Sequence, residues 1–497
     1  MSMPKSSPLG RPTTRRSLLV AGAGVLAVGL LSACGGAATV AATSATTVGA
    51  QPLSSLASTA ASTATVASTS VVATTVAATA SASTATATTS AASPTVAAKS
   101  VAAGTIQVQM LAQVGEAYPD LLKLVQQQLP KISVEFVQAS DFMNKALAVA
   151  AAGTPPDFSQ GNARYVPGMV EGKLLQDLGP LVSRGSFDVK DDAKPVLTDL
   201  SWKGKLYGLP MDLGFAYIAY NKDLFKQAGQ TDPGTLWDGG KWTWDAFVSA
   251  AQALTSHQGS GAGVNGFQVN NWEGDYLSFV RSLGGDVLNA DRTKFVLDSD
   301  AGIAALTDWA SLVTKYKVSP PPADGNAPFE KVLVAMASSN PAVIVPFRKA
   351  QPTMAWDLVP YPTLPGGTTT PVLFSNGYSL WAGARQQQSA IDVMVALTTP
   401  AMMLEWAKRT GRTPTRSSLT ADYARILNIP ADPPPSFIKV ATYLADKIEG
   451  LPLTPNYVDW QKILTTQVLT PVTKGQVSAA DAVRNAAPAI NALLAKA

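Results

Sequence analysis

Residues that commonly carry enzyme and metal chemistry are scarce in this chain of 497 residues, which has one histidine, His257, and one cysteine, Cys34. A zinc site of the HExxH type needs two histidines, and a disulfide or a cysteine-ligated zinc needs at least two cysteines. The sequence also contains no GxSxG nucleophile motif, no GxxxxGK(S/T) phosphate loop and no CxxC pair. We therefore expect neither a metal site nor a bound cofactor.

A glycine-rich motif, GxGxxG, does occur at residues 261–266. Such a motif binds a dinucleotide when its glycines lie between a strand and the N-terminus of a helix. Here it follows a segment with helical periodicity, and His257 precedes it in a polar stretch, so we interpret both as loop features.

The 34 acidic residues offer many carboxylate pairs. A glycoside hydrolase therefore stays open as an alternative, because distances between carboxylates are not readable from sequence.

Charge is unevenly distributed along the chain. Residues 1–103 contain five basic residues and no acidic residue, whereas the remainder carries nearly equal numbers of both. Residues 104–497 are nearly neutral and lack the excess positive charge that binds phosphate backbones, so we do not expect nucleic-acid binding. Every Phe, Trp and Tyr also lies beyond residue 103. The folded core must lie there too, and its length favours two lobes.

Residues 1–33 are typical of an export signal peptide. A basic start precedes an apolar run at residues 18–31, which is too short to span a bilayer comfortably. The sequence Leu-Ser-Ala-Cys-Gly that follows resembles the lipobox of bacterial lipoproteins, in which the cysteine is lipidated and becomes the mature N-terminus. We therefore expect Cys34 to carry a lipid anchor. Arg15 and Arg16 also resemble a twin-arginine signal, with the general secretory route as the alternative.

Residues 34–103 form a predicted linker that begins with the lipidated cysteine. Ala, Ser and Thr predominate in it, and it contains no aromatic or acidic residue. Such a composition cannot bury enough apolar surface to offset the entropy of ordering the chain, so we expect a disordered tether. Treated as a flexible coil, it would have a root-mean-square span of roughly 45 Å. Because Ser/Thr-rich tracts can be O-glycosylated, an adhesive stalk is an alternative role.

Strand and helix patterns alternate from residue 106 onward. Apolar residues alternate at Ile106, Val108 and Met110, recur at helical spacing over residues 118–129, and alternate again over residues 132–136. This pattern predicts a β-α-β unit, and its continuation along the chain predicts the α/β class. Ser478, three residues before Asp481, predicts the start of the last helix.

Five segments resemble, in the same order, segments of the extracellular solute-binding proteins of ABC importers, the family that includes maltose-binding protein. They are AAGTPPD at residues 151–157, GKLLQDL at 172–178, WKGKLYGLP at 202–210, YNKDLFKQAG at 220–229 and WTWDAF at 242–247. The resemblance extends from about residue 141 to the C-terminus. It implies two α/β lobes with a hinge between them, which close on a ligand held in the cleft. The first lobe would comprise residues 104–212 and 361–415, and the second residues 213–360 and 416–497.

The resemblance also implies which residues contact the ligand. A carbohydrate site needs flat apolar surfaces for the C–H faces of the ring and planar polar groups for the hydroxyls. At the positions where family members present such groups, this chain has Gln160, Asn162, Asp212, Tyr217, Trp272, Glu273, Asn376, Tyr378, Arg412 and Trp460. Core packing, turn formation or a hinge ion pair is the alternative role for these residues.

One position departs from the family pattern. Members commonly place an aromatic residue just after the turn that follows an Ala-Met pair. Here Ala335 and Met336 are followed by non-aromatic residues up to Val343. The aromatic residue is either missing or replaced by Phe347, so the ligand could differ from the usual oligosaccharides.

From these features we expect a monomeric receptor, not an enzyme, held by its lipid on the extracytoplasmic face of the bacterial cell membrane. Its ligand would be a small neutral solute, most readily a sugar or oligosaccharide. The receptor would deliver this solute to the permease subunits of an ABC importer, whose ATPase is a separate chain. The alternatives are a secreted carbohydrate-active hydrolase with paired carboxylates and a stalked surface adhesin.

Overall fold

A computed structural model describes residues 105–115, 117–256, 263–322, 327–427 and 436–496. The predicted signal peptide, Cys34 and the predicted linker lie outside the described residues. His257 and the first two residues of the GxGxxG motif also lie outside them.

The described residues form strands and helices that alternate along the chain. The strands are β1 (Ile106–Ala112), β2 (Ile132–Gln138), β3 (Phe158–Asn162), β4 (Ser201–Trp202), β5 (Lys205–Leu206), β6 (Leu209–Phe215), β7 (Tyr217–Asn221), β8 (Asn265–Gln268), β9 (Val334–Ser339), β10 (Trp356–Val359), β11 (Leu373–Leu380) and β12 (Thr413–Pro414). The α-helices are α1 (Tyr118–Gln128), α2 (Phe142–Ala151), α3 (Val166–Glu171), α4 (Gly179–Ser183), α5 (Lys194–Asp199), α6 (Lys222–Gln227), α7 (Pro233–Asp238), α8 (Trp244–Ser256), α9 (Glu273–Ser282), α10 (Asp300–Thr314), α11 (Ala327–Glu330), α12 (Ile344–Ala350), α13 (Gln387–Leu397), α14 (Pro400–Thr410), α15 (Thr420–Leu427), α16 (Phe437–Leu444), α17 (Tyr457–Ile463), α18 (Thr470–Thr473) and α19 (Ala479–Leu494). Short 3-10 turns occur at Ala163–Tyr165, Pro341–Val343 and Ser417–Leu419, and a π-helical stretch at Leu464–Leu469.

The first lobe is built on a six-stranded sheet with the strand order β12-β6-β11-β3-β1-β2. Strand β1 pairs in parallel with both β2 and β3, so the β-α-β unit predicted from residue 106 onward is confirmed. The carboxyl ends of β1 and β3 therefore meet at the same edge of the sheet. Strand β11 runs antiparallel between β3 and β6, which aligns Asn376 with both Asn162 and Asp212.

The second lobe is built on a four-stranded sheet with the strand order β10-β7-β9-β8. Strand β6 ends at Phe215 and β7 begins at Tyr217, so the chain passes from the first sheet to the second through Ala216 alone. It returns between β10 and β11. The α/β class and the two-lobed architecture are thereby confirmed, whereas the residue limits of the lobes remain a prediction.

Buried apolar side chains cover both sheets. One cluster, which includes Tyr118 and Phe158, lies on the first sheet, and another, which includes Phe347 and Trp356, lies on the second. The largest cluster contains residues that follow strands of both sheets, such as Val166 after β3 and Val269 after β8. The two lobes therefore contact each other through apolar surface in this conformation.

Gly266 of the GxGxxG motif serves packing between a helix and a strand. A Cβ atom at this position would lie 1.9 Å from the carbonyl oxygen of Ala251 in α8. The Gly266 amide donates to Thr255 Oγ1 of the same helix at 2.7 Å. The motif leads into strand β8 and not into a helix, so its amides do not form the helix N-terminus that a pyrophosphate needs.

The last helix begins where the sequence predicts. Ser478 Oγ accepts a hydrogen bond from Asp481 N at 3.1 Å, which caps α19, and the helix continues through Pro488.

Within the described residues, no single helix is long and apolar enough to cross a membrane. Helices α13 and α14 meet the length and composition requirement only as a pair bent by 68°.

Candidate functional site

Three of the predicted site residues lie side by side on the first sheet. Asn376 Nδ2 donates to Asp212 Oδ1 at 2.7 Å, and Asn162 Nδ2 donates to Asn376 Oδ1 at 3.2 Å. All three side chains are buried, and buried polar groups require partners of this kind. We call Asp212, Asn376 and Asn162 the polar row.

Asp212 is the anionic end of the polar row. Its Oδ2 accepts a hydrogen bond from Trp406 Nε1 at 2.9 Å, and Arg412 Nη1 lies 3.5 Å from its Oδ1. Arg412 follows Gly411, whose φ of 74° ends α14 in the left-handed conformation that glycine favours. Asp212 and Arg412 thus form an ion pair next to the crossing between the lobes.

Arg164 connects the polar row to the second lobe. Its Nε donates to Asn162 Oδ1 at 3.0 Å, and its Nη1 lies 2.9 Å from Glu273 Oε1 at the start of α9. Tyr457 donates its hydroxyl to the same Glu273 oxygen at 2.8 Å. Through Arg164, five predicted residues belong to one hydrogen-bonded chain: Arg412, Asp212, Asn376, Asn162 and Glu273.

Arg164 stays charged and Tyr457 stays protonated near neutral pH. Burial acts to lower the pKa of Arg164, but the negative charge of Glu273 and neighbouring groups raise it overall above its usual value. Burial, followed by the charge of Glu273, raises the pKa of Tyr457 well above its usual value. Arg164 is therefore a permanent cation, and the Tyr457 hydroxyl remains a donor to Glu273.

Trp272 joins the lobes through an aromatic contact. Its ring stacks on Phe374 of β11, with ring centroids 5.0 Å apart and an angle of 20° between the planes. Its Nε1 donates to Ser338 Oγ of β9 at 3.2 Å. Part of Trp272 remains exposed. Gly214 of β6 is aligned with Phe374 of β11. An aromatic surface therefore adjoins the crossing.

Four predicted residues are packed inside the lobes and are at most 1% exposed: Gln160, Tyr217, Tyr378 and Trp460. Trp460 Nε1 donates to Thr454 Oγ1 at 2.8 Å, and the Tyr378 hydroxyl accepts a hydrogen bond from the Tyr118 hydroxyl at 3.1 Å. The structure does not join these four residues to the polar row. None of them offers an open surface to a ligand in this conformation, because tertiary packing covers their side chains.

Sequence reasoning missed three residues at this junction: Arg164, Phe374 and Tyr457. For Arg164 a local signal exists, because Asn162 caps the short turn that follows β3 and accepts a hydrogen bond from the Arg164 amide at 3.0 Å. That cap fixes Arg164 beside the polar row. Phe374 and Tyr457 carry no such local signal.

Phe347 does not replace the aromatic residue that family members place after the Ala-Met pair. It is fully buried, and its ring packs on Phe329 and Trp356 with centroids 5.0 and 5.4 Å away. Small residues at Pro341–Val343 form the turn instead.

Among the residues that the structure describes, no group of three or more His, Cys, Asp or Glu could hold a metal ion.

Comparison with known proteins identifies related sequences. A family model described as bacterial extracellular solute-binding protein matches residues 121–431. The arabinooligosaccharide-binding protein of Bacillus subtilis (strain 168) is 24% identical over 221 residues, which are 44% of this chain and 47% of that protein.

Solved structures with the same fold hold different ligands. An ABC substrate-binding protein from Listeria monocytogenes in complex with cycloalternan has a TM-score of 0.69 at 20% identity. UgpB from Mycobacterium tuberculosis in complex with glycerophosphocholine has a TM-score of 0.69 at 18% identity. Each comparison covers 79% of this chain and 99% of the other chain. At these identities the likeness establishes the fold and leaves the ligand to be argued from the site.

Proposed function

The chain belongs to the family of bacterial extracellular solute-binding proteins, and from that premise we propose that it captures a neutral sugar or oligosaccharide between its two lobes and delivers it to an ABC importer. Members of the family are substrate-binding proteins, which confirms the prediction that this chain is not an enzyme. Family membership also implies an extracytoplasmic location.

The charges at the junction support a neutral ligand. Arg164 is paired with Glu273, and Arg412 is paired with Asp212. An anionic ligand would have to displace a buried carboxylate from one of these pairs, which is costly. Sugar hydroxyls can instead donate to a carboxylate and accept from a guanidinium at the same time. The paired charges therefore favour a sugar over a phosphodiester such as the glycerophosphocholine bound to the Mycobacterium tuberculosis protein.

The observation that carries the proposal is the position of Trp272. It adjoins Glu273 in sequence, stacks on Phe374 of the other lobe and is itself partly exposed. A flat apolar ring beside planar polar groups is the combination that sugar recognition requires. The Bacillus subtilis relative is an arabinooligosaccharide-binding protein, and the Listeria protein is in complex with cycloalternan. Both support an oligosaccharide as the ligand class.

The proposed binding set follows from these contacts. The ligand-contacting residues that we propose are Asn162, Arg164, Trp272, Glu273 and Asn376. Asp212 and Arg412 would position Asn376 through the ion pair and the 2.7 Å hydrogen bond. In the conformation described, the Arg164 guanidinium and the Glu273 carboxylate pair with each other across the two lobes. A ligand would therefore take the place of contacts between the lobes when it binds.

The proposed anchor and partners rest on the sequence. A lipid on Cys34 would hold the protein at the cell membrane, and the linker up to residue 103 would let a monomeric binding domain reach the permease subunits of the importer. Replacing Cys34 with alanine should move the protein from the membrane fraction to the soluble fraction of fractionated cells. Retention of Cys34→Ala in the membrane fraction would contradict a lipid anchor at this position.

A fluorescence titration tests the ligand class. The purified protein is titrated with maltotriose, arabinotriose, glycerophosphocholine, an amino-acid mixture and spermidine while tryptophan emission is recorded. We expect a saturable change with at least one oligosaccharide. A response to glycerophosphocholine, amino acids or spermidine, with none to either sugar, would overturn the sugar proposal and leave the family assignment intact.

A pair of tryptophan variants tests the position of the site. Trp272→Ala should weaken binding of the responding sugar by about 10-fold or more, because the ring supplies the apolar platform. Trp202→Ala is the matched control, because Trp202 lies in β4 and bonds Glu171 at 2.7 Å, away from the polar row. Equal affinities of wild type and Trp272→Ala would remove Trp272 from the site.

A further inference from the structure

A cavity of about 310 Å³ lies behind the strands that cross between the lobes. Its walls come from β6, β11, α16 and the segment after α16. They are formed by apolar side chains: Leu213, Phe215, Leu373, Phe437, Leu444 and Ile448. One edge is formed by the segment from Thr413 to Ser417, with Thr420 beside it. Apolar walls with a few polar groups at one edge are the usual composition of a small-molecule pocket, and this volume lies at the lower end of the usual range.

The cavity lies on the opposite face of the crossing strands from the proposed sugar site. Successive side chains of a strand point to opposite faces. In the pairing of β6 with β11, Gly214 is aligned with Phe374, whereas Phe215 is aligned with Leu373. Phe374 meets Trp272 on one face, and Phe215 and Leu373 line the cavity on the other. The cavity and the proposed sugar site therefore lie on opposite faces of the crossing strands and are separate.

The charges along the polar edge disfavour an anion. Asp192 accepts a hydrogen bond from the Thr415 hydroxyl, and Asp191 accepts one from Ser418 N at 3.3 Å. Burial, partly opposed by the Thr415 hydrogen bond and the charge of Arg416, raises the pKa of Asp192. Arg416 is one guanidinium beside these aspartates, so the edge has no net positive charge to hold a carboxylate or phosphate.

We infer that this cavity is a second binding site, which takes an uncharged, mainly apolar molecule of about two fused rings. An apolar cavity of about 150 Å³ accommodates benzene, so about twice that volume can hold two rings. A single hydroxyl on the ligand can reach the threonine and serine hydroxyls at the edge. This second site is independent of the proposed sugar site, because neither the polar row nor Trp272 lines the cavity.

A matched pair of probes tests the inference. The purified full-length protein is titrated by calorimetry with 2-naphthol, which is neutral at pH 7, and with 2-naphthoate, which has the same rings and a carboxylate. We expect saturable binding of 2-naphthol with one site per chain, and at least 10-fold weaker binding of 2-naphthoate. Failure of 2-naphthol to bind saturably, or tighter binding of 2-naphthoate, would overturn the inference.

Variants place the probe in the cavity. Ala441→Trp fills the cavity from α16 and should abolish 2-naphthol binding, whereas Ala401→Trp adds the same ring to an exposed position of α14 and should not. If Ala441→Trp does not fold, Ala441→Leu should still weaken binding at least 3-fold. Unchanged binding in these Ala441 variants, or loss of 2-naphthol binding in Trp272→Ala, would place the probe elsewhere and overturn the inference.

Discussion

Arg164 and Glu273 form an ion pair, with Nη1 and Oε1 2.9 Å apart, that links the end of β3 in the first lobe to the start of α9 in the second. The side chain of Arg164 is 24% exposed and that of Glu273 is 7% exposed. Asn162 holds the guanidinium from one side, and Tyr457 holds the carboxylate from the other. The contact between the lobes is therefore an ordered pair of charges at the position where we propose that the ligand binds.

Replacing Glu273 with glutamine should destabilise the protein measurably. The change keeps the shape of the side chain but leaves the Arg164 guanidinium largely buried without a counter-charge. Removing one partner of a fully buried pair costs about 3–5 kcal/mol, and because Arg164 is partly exposed we expect about 2 kcal/mol here. Urea unfolding of wild type and Glu273→Gln, followed by far-ultraviolet circular dichroism, measures this difference.

Glu405→Gln is the control for this measurement. Glu405 also pairs with an arginine, Arg409, at 3.2 Å, but both side chains are about one-third exposed and lie on the same helix. Water screens such a pair, so the change should cost less than about 0.5 kcal/mol. Equal losses in the two glutamine variants would show that the contact between the lobes has no special contribution to stability.

Removing the amide of Asn376 should disrupt the polar row from its centre. In Asn376→Ala, Asp212 Oδ1 loses its donor at 2.7 Å and Asn162 Nδ2 loses its acceptor at 3.2 Å. Both groups are buried, so we expect the free energy of unfolding to fall by about 2–3 kcal/mol. Urea unfolding measures the change. Asn144→Ala is the control, because Asn144 donates to Asp141 at 2.7 Å on an exposed surface and should lose less than about 1 kcal/mol.

Local features of the fold could be predicted from the sequence, because they depend on neighbouring residues. The spacing of apolar residues predicts β1, α1 and β2, and Ser478 predicts the start of α19. The polar row could be named only through the family resemblance. Arg164 and Glu273 are 109 residues apart, and no local pattern indicates that they meet. The junction of the lobes is formed by tertiary packing, which a single sequence does not display.

Trp460 illustrates the same limit for an aromatic residue. The sequence predicts a ring that stacks on the ligand, and the structure places that ring in the core with 0% exposure. A tryptophan can serve either role, because its large apolar ring suits a core and its N–H suits a polar surface. The complete burial of the ring, together with Thr454 as the acceptor of its N–H, favours the core role.

Replacing Trp460 with phenylalanine should therefore lower stability and leave ligand affinity unchanged. The smaller ring leaves a void and removes the 2.8 Å hydrogen bond to Thr454, which together should cost about 2–3 kcal/mol. Urea unfolding reports the stability, and titration with the sugar that binds wild type reports the affinity. Stability equal to wild type combined with weaker sugar binding would restore Trp460 as a ligand contact.

Asp199 predicts a dependence of stability on pH. It ends α5, is buried, and accepts a hydrogen bond from Ser375 Oγ at 2.8 Å. Burial raises the pKa of its carboxyl to about 7, although the hydrogen bond and the charges of Arg292 and Arg281 act in the opposite direction. The folded protein therefore holds this proton at a pH where the unfolded chain has lost it.

The stabilising contribution of the protonated Asp199 is fully present below pH 4 and is lost as pH rises through about 7. Asp199→Asn has no proton to lose at this position, so its stability relative to wild type should increase by about 2 kcal/mol between pH 5 and pH 7. Urea unfolding of both proteins at pH 5, 6, 7 and 8 gives this difference, and other buried acids cancel from it because both proteins contain them. Asp298→Asn, at an exposed position, is the control and should show a difference that does not change with pH. A flat difference for Asp199→Asn as well would mean that Asp199 is already ionised in the folded protein at pH 5.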